Sequence, residues 1–189
     1  MGIMRKKFRA FFTVFTVLLL AFFGYLGFLQ LSGNFHEVLA GELYRSNQPS
    51  AEQLASYVKE HHIKTVINLR GKNDGSTWYK DEISESKALG ISHVDFAMSA
   101  REARSMDKAE ALVEIMRSSP KPILIHCRSG SDRTGLASAI YLGKIAGINP
   151  ETAEKQLSIR YGHLAVPIIS QAYPMDQSWE TIETHLATM

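Results

Sequence analysis

The chain has 189 residues, a formal net charge of +2 and 45% hydrophobic residues, enough for one folded core and too balanced to suggest nucleic-acid binding. One cysteine excludes an intramolecular disulfide framework and any multi-cysteine zinc site, and the seven histidines fall into no ligand spacing. The adjacent His61 and His62 would point about 100° apart on a helix, so neither metal nor cofactor is expected.

In chain order, the first feature is "MGIMRKKFRA", which carries Arg5, Lys6, Lys7 and Arg9, followed by an uncharged apolar run from Ala10 to Leu31. At about 1.5 Å per residue that run reaches about 33 Å, enough for a hydrocarbon core of about 30 Å. A cleaved signal peptide would have a shorter apolar region and a small-x-small cleavage site, and a core helix would be polar on one face. A retained single-pass membrane anchor over 10–31 is therefore favoured. The basic residues before it keep 1–9 in the cytoplasm and send the remainder across, into the periplasm in a bacterium. Residues 32–42 read as a linker and 43–189 as the folded domain.

Within that domain, Leu43–Ser46 reads as a short strand. A helix follows from Ser50, where Gln53 three residues on completes a capping box. Lys64–Arg70 is a β-branched strand, 71–76 a turn-rich loop, and Trp78–Leu89 has helical spacing. Ser92–Met98 is a further strand, 99–105 a polar loop and Met106–Ser118 a helix. The run "PILIHC" forms the last strand. An apolar helix follows over 133–147, and helical segments around 151–161 and 169–187 close the chain. Strands alternating with helices predict an α/β fold with a mostly parallel central sheet flanked by helices, preceded by the transmembrane helix. Ligands of such sheets bind beyond the carboxyl ends of the strands, where "GKNDGSTW", "SAREARS" and "CRSGSDR" converge.

The last of these loops holds the single cysteine. A free thiol is mostly protonated at neutral pH, but one placed before a helix N-terminus, beneath successive backbone N–H groups, is stabilised as the thiolate. The same N–H groups of 128–132 form a nest for a phosphate dianion, and Gly130 gives the backbone freedom this cradle needs. Arg133 ends the loop with a planar fork that matches two phosphoryl oxygens. Thr134 follows, where its hydroxyl can stabilise sulfur as a leaving group.

His126-Cys127-x-x-Gly130-x-x-Arg133-Thr134 resembles the signature of the cysteine-dependent protein tyrosine phosphatase superfamily. The layout "YRSNQPS", "TVINLR", "ILIHCRSGSDRTG" is most similar to its small dual-specificity branch, bacterial members included, over roughly Leu43 to Gly147. The resemblance implies attack of Cys127 on phosphorus, protonation of the leaving oxygen by a general acid, and hydrolysis of the phosphocysteine by water, without a metal. It implies that Arg128, Ser129, Gly130, Ser131, Asp132 and Arg133 bind the phosphate, with His126 helping to set the thiolate. The acid has several candidates. Asp95 lies 32 positions before the cysteine but inside a strand pattern, Glu102 lies in the loop after it, and Asp107 opens the next helix. Asp132, favoured here, resembles the loop aspartate of phosphoinositide-type members, which usually carry Lys where this chain has Ser131.

Arg45, Arg70, Lys72 and Lys80 are candidates for extra positive charge at the pocket, and Trp78 and Tyr79 for its walls. The reading is a membrane-anchored phosphatase of phosphotyrosine or other phosphoprotein esters. The alternative substrate is a membrane phospholipid or glycolipid head group such as phosphatidylglycerol phosphate, since the 12 steps from Leu31 to Leu43 hold the site within about 40 Å of the bilayer.

Overall fold

The computed structural model describes residues 2–99, 106–167 and 170–186. It divides into two units, 1–32 and 33–189. The first is a single helix, α1 (Gly2–Leu31). It runs unbroken through the basic residues as well as the apolar ones, and Arg5–Leu31 is long and apolar enough to cross a membrane.

The second unit is built on five strands, β1 (His36–Leu39), β2 (Leu43–Ser46), β3 (Thr65–Asn68), β4 (Ser92–Asp95) and β5 (Ile123–His126), in the order β1-β2-β5-β3-β4. β1 pairs antiparallel with β2, and the other three pairings are parallel. Every residue of β2, β3 and β5 is buried, as a parallel sheet covered on both faces requires. Alternate side chains feed two cores. Leu43, Ile67, Ile123 and Ile125 join the larger one with Leu112, Met116, Leu136, Ile140 and Trp179, while Tyr44, Val66 and Leu124 pack with Leu54 and Ile63.

Seven helices are described. Besides α1 they are α2 (Ala51–His61), α3 (Thr77–Ala88), α4 (Met106–Ser118), α5 (Asp132–Ile140), α6 (Pro150–Glu154) and α7 (Tyr173–Leu186). α2 begins at the expected capping box: Gln53 N–H donates to Ser50 Oγ at 3.2 Å, and Ser50 N–H to Gln53 Oε1 at 3.0 Å.

Three expectations change. Residues 32–42 are not a bare linker, because β1 lies within them as the antiparallel edge strand, and the compact unit starts at Gly33. The apolar helix over 133–147 is α5 followed by a wider π-helical turn at Tyr141–Ile145. The segment 151–161 holds only the short α6 and one 3-10 turn, Ile159–Tyr161, closed by Gly162 in the left-handed region at φ 80°. Sheet register sets Ser46 and Asn68 beside His126, and Asp95 beside Asn68, so four polar residues line the carboxyl edge from β2 to β4.

Candidate active site

The loop from Cys127 to Ser131 leaves this carboxyl edge and enters α5. Its shape follows from where its carbonyls go. The carbonyl of Arg128 accepts from Gln48 N–H at 3.3 Å, and that of Ser129 from Asn34 Nδ2 at 3.0 Å. Those of Gly130 and Ser131 both accept from Arg45 Nη2, at 2.8 and 3.0 Å. In a trans peptide the N–H points opposite the C=O, so four tethered carbonyls turn the next four amides to the other side. Cys127 sits on that side: Gly130 N–H donates to its Sγ at 3.3 Å, and Thr134 Oγ1 lies 3.7 Å from the sulfur. The cysteine is 1% exposed, at the floor of the loop. Gly130 has φ 73°, and a Cβ there would meet Asn47 N at 2.7 Å and Ser46 C at 2.8 Å, so only glycine fits so close to β2.

Arg45 therefore serves from behind the loop, and not as charge in the pocket. It is fully buried, its Nη1 donates to both oxygens of Gln156 at 2.9 Å, and its guanidinium lies 4.0 Å over the Tyr161 ring. Burial lowers its pKa to about 10, partly offset by Tyr161, Cys127 and Asp132, so it stays charged at neutrality.

Arg133, on the first turn of α5, lays its Nη1 3.4 Å from the carbonyl of Leu69 and 3.3 Å from that of Met98. Its guanidinium thus reaches the chain just after β3 and β4. Arg70 lies 3.5 Å over the Trp78 ring and donates to Gln48 Oε1 at 2.8 Å. Burial lowers its pKa, and repulsion from Arg133 and Arg128 lowers it further, which places three guanidinium groups in one field with Cys127. Lys72 is outside this group, paired with Asp74 at 3.2 Å on the surface, and Lys80 is exposed on α3. Trp78 acts through Arg70; Tyr79 is buried and bonds Asp95.

A cleft of about 500 Å³ opens beside the loop, lined by Arg128, Ser129, Asp132 and Arg133 on one side and by Gly162, Leu164 and 170–172 on the other. A cavity of about 540 Å³ between the starts of α2 and α3 carries Glu52, Asp81 and Glu85, a poor host for a phosphate.

Behind the strand, the buried carboxylate of Glu82 lies 2.7 Å from His93 Nε2 and 3.1 Å from His126 Nε2, and accepts from Gln48 Nε2. Burial alone would raise its pKa. Its bonds to His126, His93 and Gln48 prevail and hold it down at about 2. Glu82→Gln removes this charge. From an ordinary 4.5 to about 2 corresponds to about 3 kcal/mol of stability, present above pH 4.5 and lost as pH falls through 2. Denaturant unfolding should show Glu82→Gln weaker by about that amount at pH 7, the gap closing toward pH 2.

The candidate acids separate by position. Asp95 ends β4 with both oxygens engaged, one by Asn68 Nδ2 at 2.8 Å and the other by the Tyr79 hydroxyl. Glu102 lies outside the described residues. Asp107 is exposed in the first turn of α4, where a negative charge suits the helix. Asp132 is the first residue of α5 on the wall of the cleft, with Oδ1 2.7 Å from His163 Nδ1. Sequence reasoning missed Asn34, Glu82 and His163. Only Glu82 left a trace, sharing one helix face with Tyr79 and Ser86.

A loop of backbone amides around a buried cysteine, closed by an arginine, fits a known family. Residues 31–163 match the family described as a DSP-PTPase phosphatase fused to NAD+ kinase. The chain belongs to this family. Among curated proteins it is similar to the dual specificity protein phosphatase TpbA of Pseudomonas aeruginosa, 29% identical over 119 residues, or 61% of this chain. The match spans about half (49%) of TpbA's length. The phosphatase fold recurs in solved structures. TpbA of P. aeruginosa superposes with a TM-score of 0.58 at 22% identity, over 82% of this chain and 92% of that one. PTPMT1 gives 0.59 at 15%, over 82% and 99%, and the core catalytic domain of the PP-IP phosphatase SIW14 from S. cerevisiae gives 0.59 at 23%, over 80% and 91%. One TpbA structure holds pTyr and one PTPMT1 structure holds PI(5)P.

Proposed function

We propose that this protein is a membrane-anchored phosphomonoester phosphatase working through a phosphocysteine on Cys127, with phosphotyrosine and other phosphoprotein esters as substrates. The observation that carries the reading is the loop itself, its four carbonyls tied away so that the amides and the sulfur share one side. A phosphate dianion seated on those amides would present phosphorus to Cys127, with Arg133 and Arg128 at its oxygens. Thr134 would assist the sulfur as leaving group, and His126, in contact with Glu82, would fix the base of the loop. Asp132 is the general acid on this reading, since it stands on the cleft wall while Asp95 is engaged elsewhere.

The dual-specificity family supports the same substrate class. A second reading, the head group of a membrane phospholipid, is favoured by α1, whose Arg5–Leu31 stretch can span a bilayer. With four basic residues before the apolar run, the N-terminus would stay in the cytoplasm and the phosphatase unit would face the periplasm.

The deciding experiment compares phosphotyrosine peptides with phospholipids in mixed micelles, using the purified full chain and its Cys127→Ser control. Faster Cys127-dependent turnover of peptides is expected. Faster turnover of lipids transfers the assignment to the second reading. A reporter fused after Met189 that is active only in the cytoplasm would overturn the orientation.

A further inference from the structure

Asp132 is one end of a chain of three ionisable groups. Its Oδ1 lies 2.7 Å from Nδ1 of His163, and Nε2 of the same ring lies 2.9 Å from Oδ2 of Asp176 on α7. The His163 side chain is 2% exposed, whereas each carboxylate is 27% exposed, so the ring is enclosed and its two partners reach the surface. A neutral imidazole has one N–H and one acceptor nitrogen, and only the protonated ring donates to two carboxylates at once. Burial opposes that charge, but the bonds to Asp132 and Asp176 prevail and raise the pKa of His163 above its ordinary 6.5.

A carboxylate can pass on only a proton that another group supplies to it. Here the imidazole of His163, drawn toward its protonated form by two carboxylates, stands 2.7 Å behind it. Other charges act at the ends of the chain: Arg45 faces Asp132 from β2, Arg133 follows it on α5, and Glu154 of α6 shares the field of Asp176 with Glu180 and Glu183.

We propose that His163, oriented by Asp176, is the proton store of this site and supplies through Asp132 the proton that the leaving oxygen receives. The proposal rests on the phosphatase reading above. In the first step sulfur bonds to phosphorus as the P–O bond to the leaving group breaks. His163 Nδ1 passes its proton to Asp132, which gives it to that oxygen, leaving a carboxylate on Asp132 and a neutral ring whose Nε2–H still bonds Asp176. In the second step water bonds to phosphorus as the S–P bond breaks. Its released proton goes to Asp132 and on to His163, so thiolate and imidazolium are both restored. His163 acts through Asp132 and is a positioning residue as well as a store.

The test uses leaving groups. Phenolate from phenyl phosphate needs a proton, whereas 2,4-dinitrophenolate departs without one. For His163→Asn, kcat/KM on phenyl phosphate at pH 7 should fall about 10²-fold, the low end for a lost general acid, with less than about a threefold change on 2,4-dinitrophenyl phosphate. The basic limb of the phenyl phosphate profile should move to lower pH, and Asp176→Asn should move it the same way by less. Equal losses on both substrates with an unmoved limb would show a structural role only and overturn the proposal. Turnover of either substrate by Cys127→Ser would instead defeat the phosphatase reading. Should His163→Asn not fold, NMR titration of the unaltered protein decides: a ring titrating above 6.5 with both nitrogens protonated is expected, and one titrating below 6.5 overturns the store.

Discussion

Replacing Cys127 with serine is expected to lower kcat by about 10⁴-fold or more, the scale on which removal of a covalent nucleophile is felt. A serine hydroxyl is a far weaker nucleophile than a cysteine sulfur, whose thiolate is the reactive form in this chemistry. The geometry separates chemistry from binding. Gly130 N–H reaches Sγ at 3.3 Å, but the remaining cradle belongs to the backbone and to Arg45 and Asn34 behind it. Cys127→Ser should therefore keep its affinity for inorganic phosphate, measured by calorimetry, while losing turnover of phenyl phosphate. The residue is 1% exposed and the exchange nearly isosteric, so the unfolding midpoint should move little. Turnover within tenfold of the unaltered protein would remove Cys127 as nucleophile.

Much of this arrangement was legible because it depends on short-range chemistry. The β-branched run at Thr65–Asn68, the capping box at Ser50 and the His-Cys to Arg-Thr signature each specify local structure by residue type and spacing. What escaped depends on tertiary partners. Arg45 reads as a surface charge in any sequence, because nothing local says that Gln156, more than a hundred residues on, will enclose its guanidinium. Glu82 sits among charged neighbours in "YKDEISES", and its burial becomes visible only when His93 and His126 close over it. His163 lies in an irregular stretch after Gly162, where no periodicity marks a buried ring. β1 is four residues long and pairs at the sheet edge, too little pattern to separate it from a linker. The general acid is ambiguous in the sequence for the same reason: 32 residues of spacing fit Asp95, but Asn68 and Tyr79 hold its carboxylate.

Arg133→Lys is the second large effect, expected to lower kcat/KM by about 10²–10³-fold, the range found when one preorganised transition-state donor is removed. The guanidinium has to serve two directions. Nη1 rests against the carbonyls of Leu69 and Met98, which pins the group over the cleft from α5. Its remaining donors lie in one rigid plane, available as a fork for two phosphoryl oxygens. An ammonium is a compact point charge: if it bonds the carbonyls it leaves the phosphate, and if it bonds the phosphate it loses its anchor. Charge is conserved in the exchange, so long-range attraction of the substrate by Arg128 and Arg70 persists and KM should change less than kcat. The loss should extend to 2,4-dinitrophenyl phosphate, because it concerns the phosphoryl group and not the leaving oxygen. That separates it from the His163→Asn pattern, in which only the substrate needing a proton suffers. Steady-state kinetics of the two variants on the two esters therefore distinguish phosphate recognition from proton supply, and an Arg133→Lys enzyme within threefold of the unaltered one would show that the fork is not used.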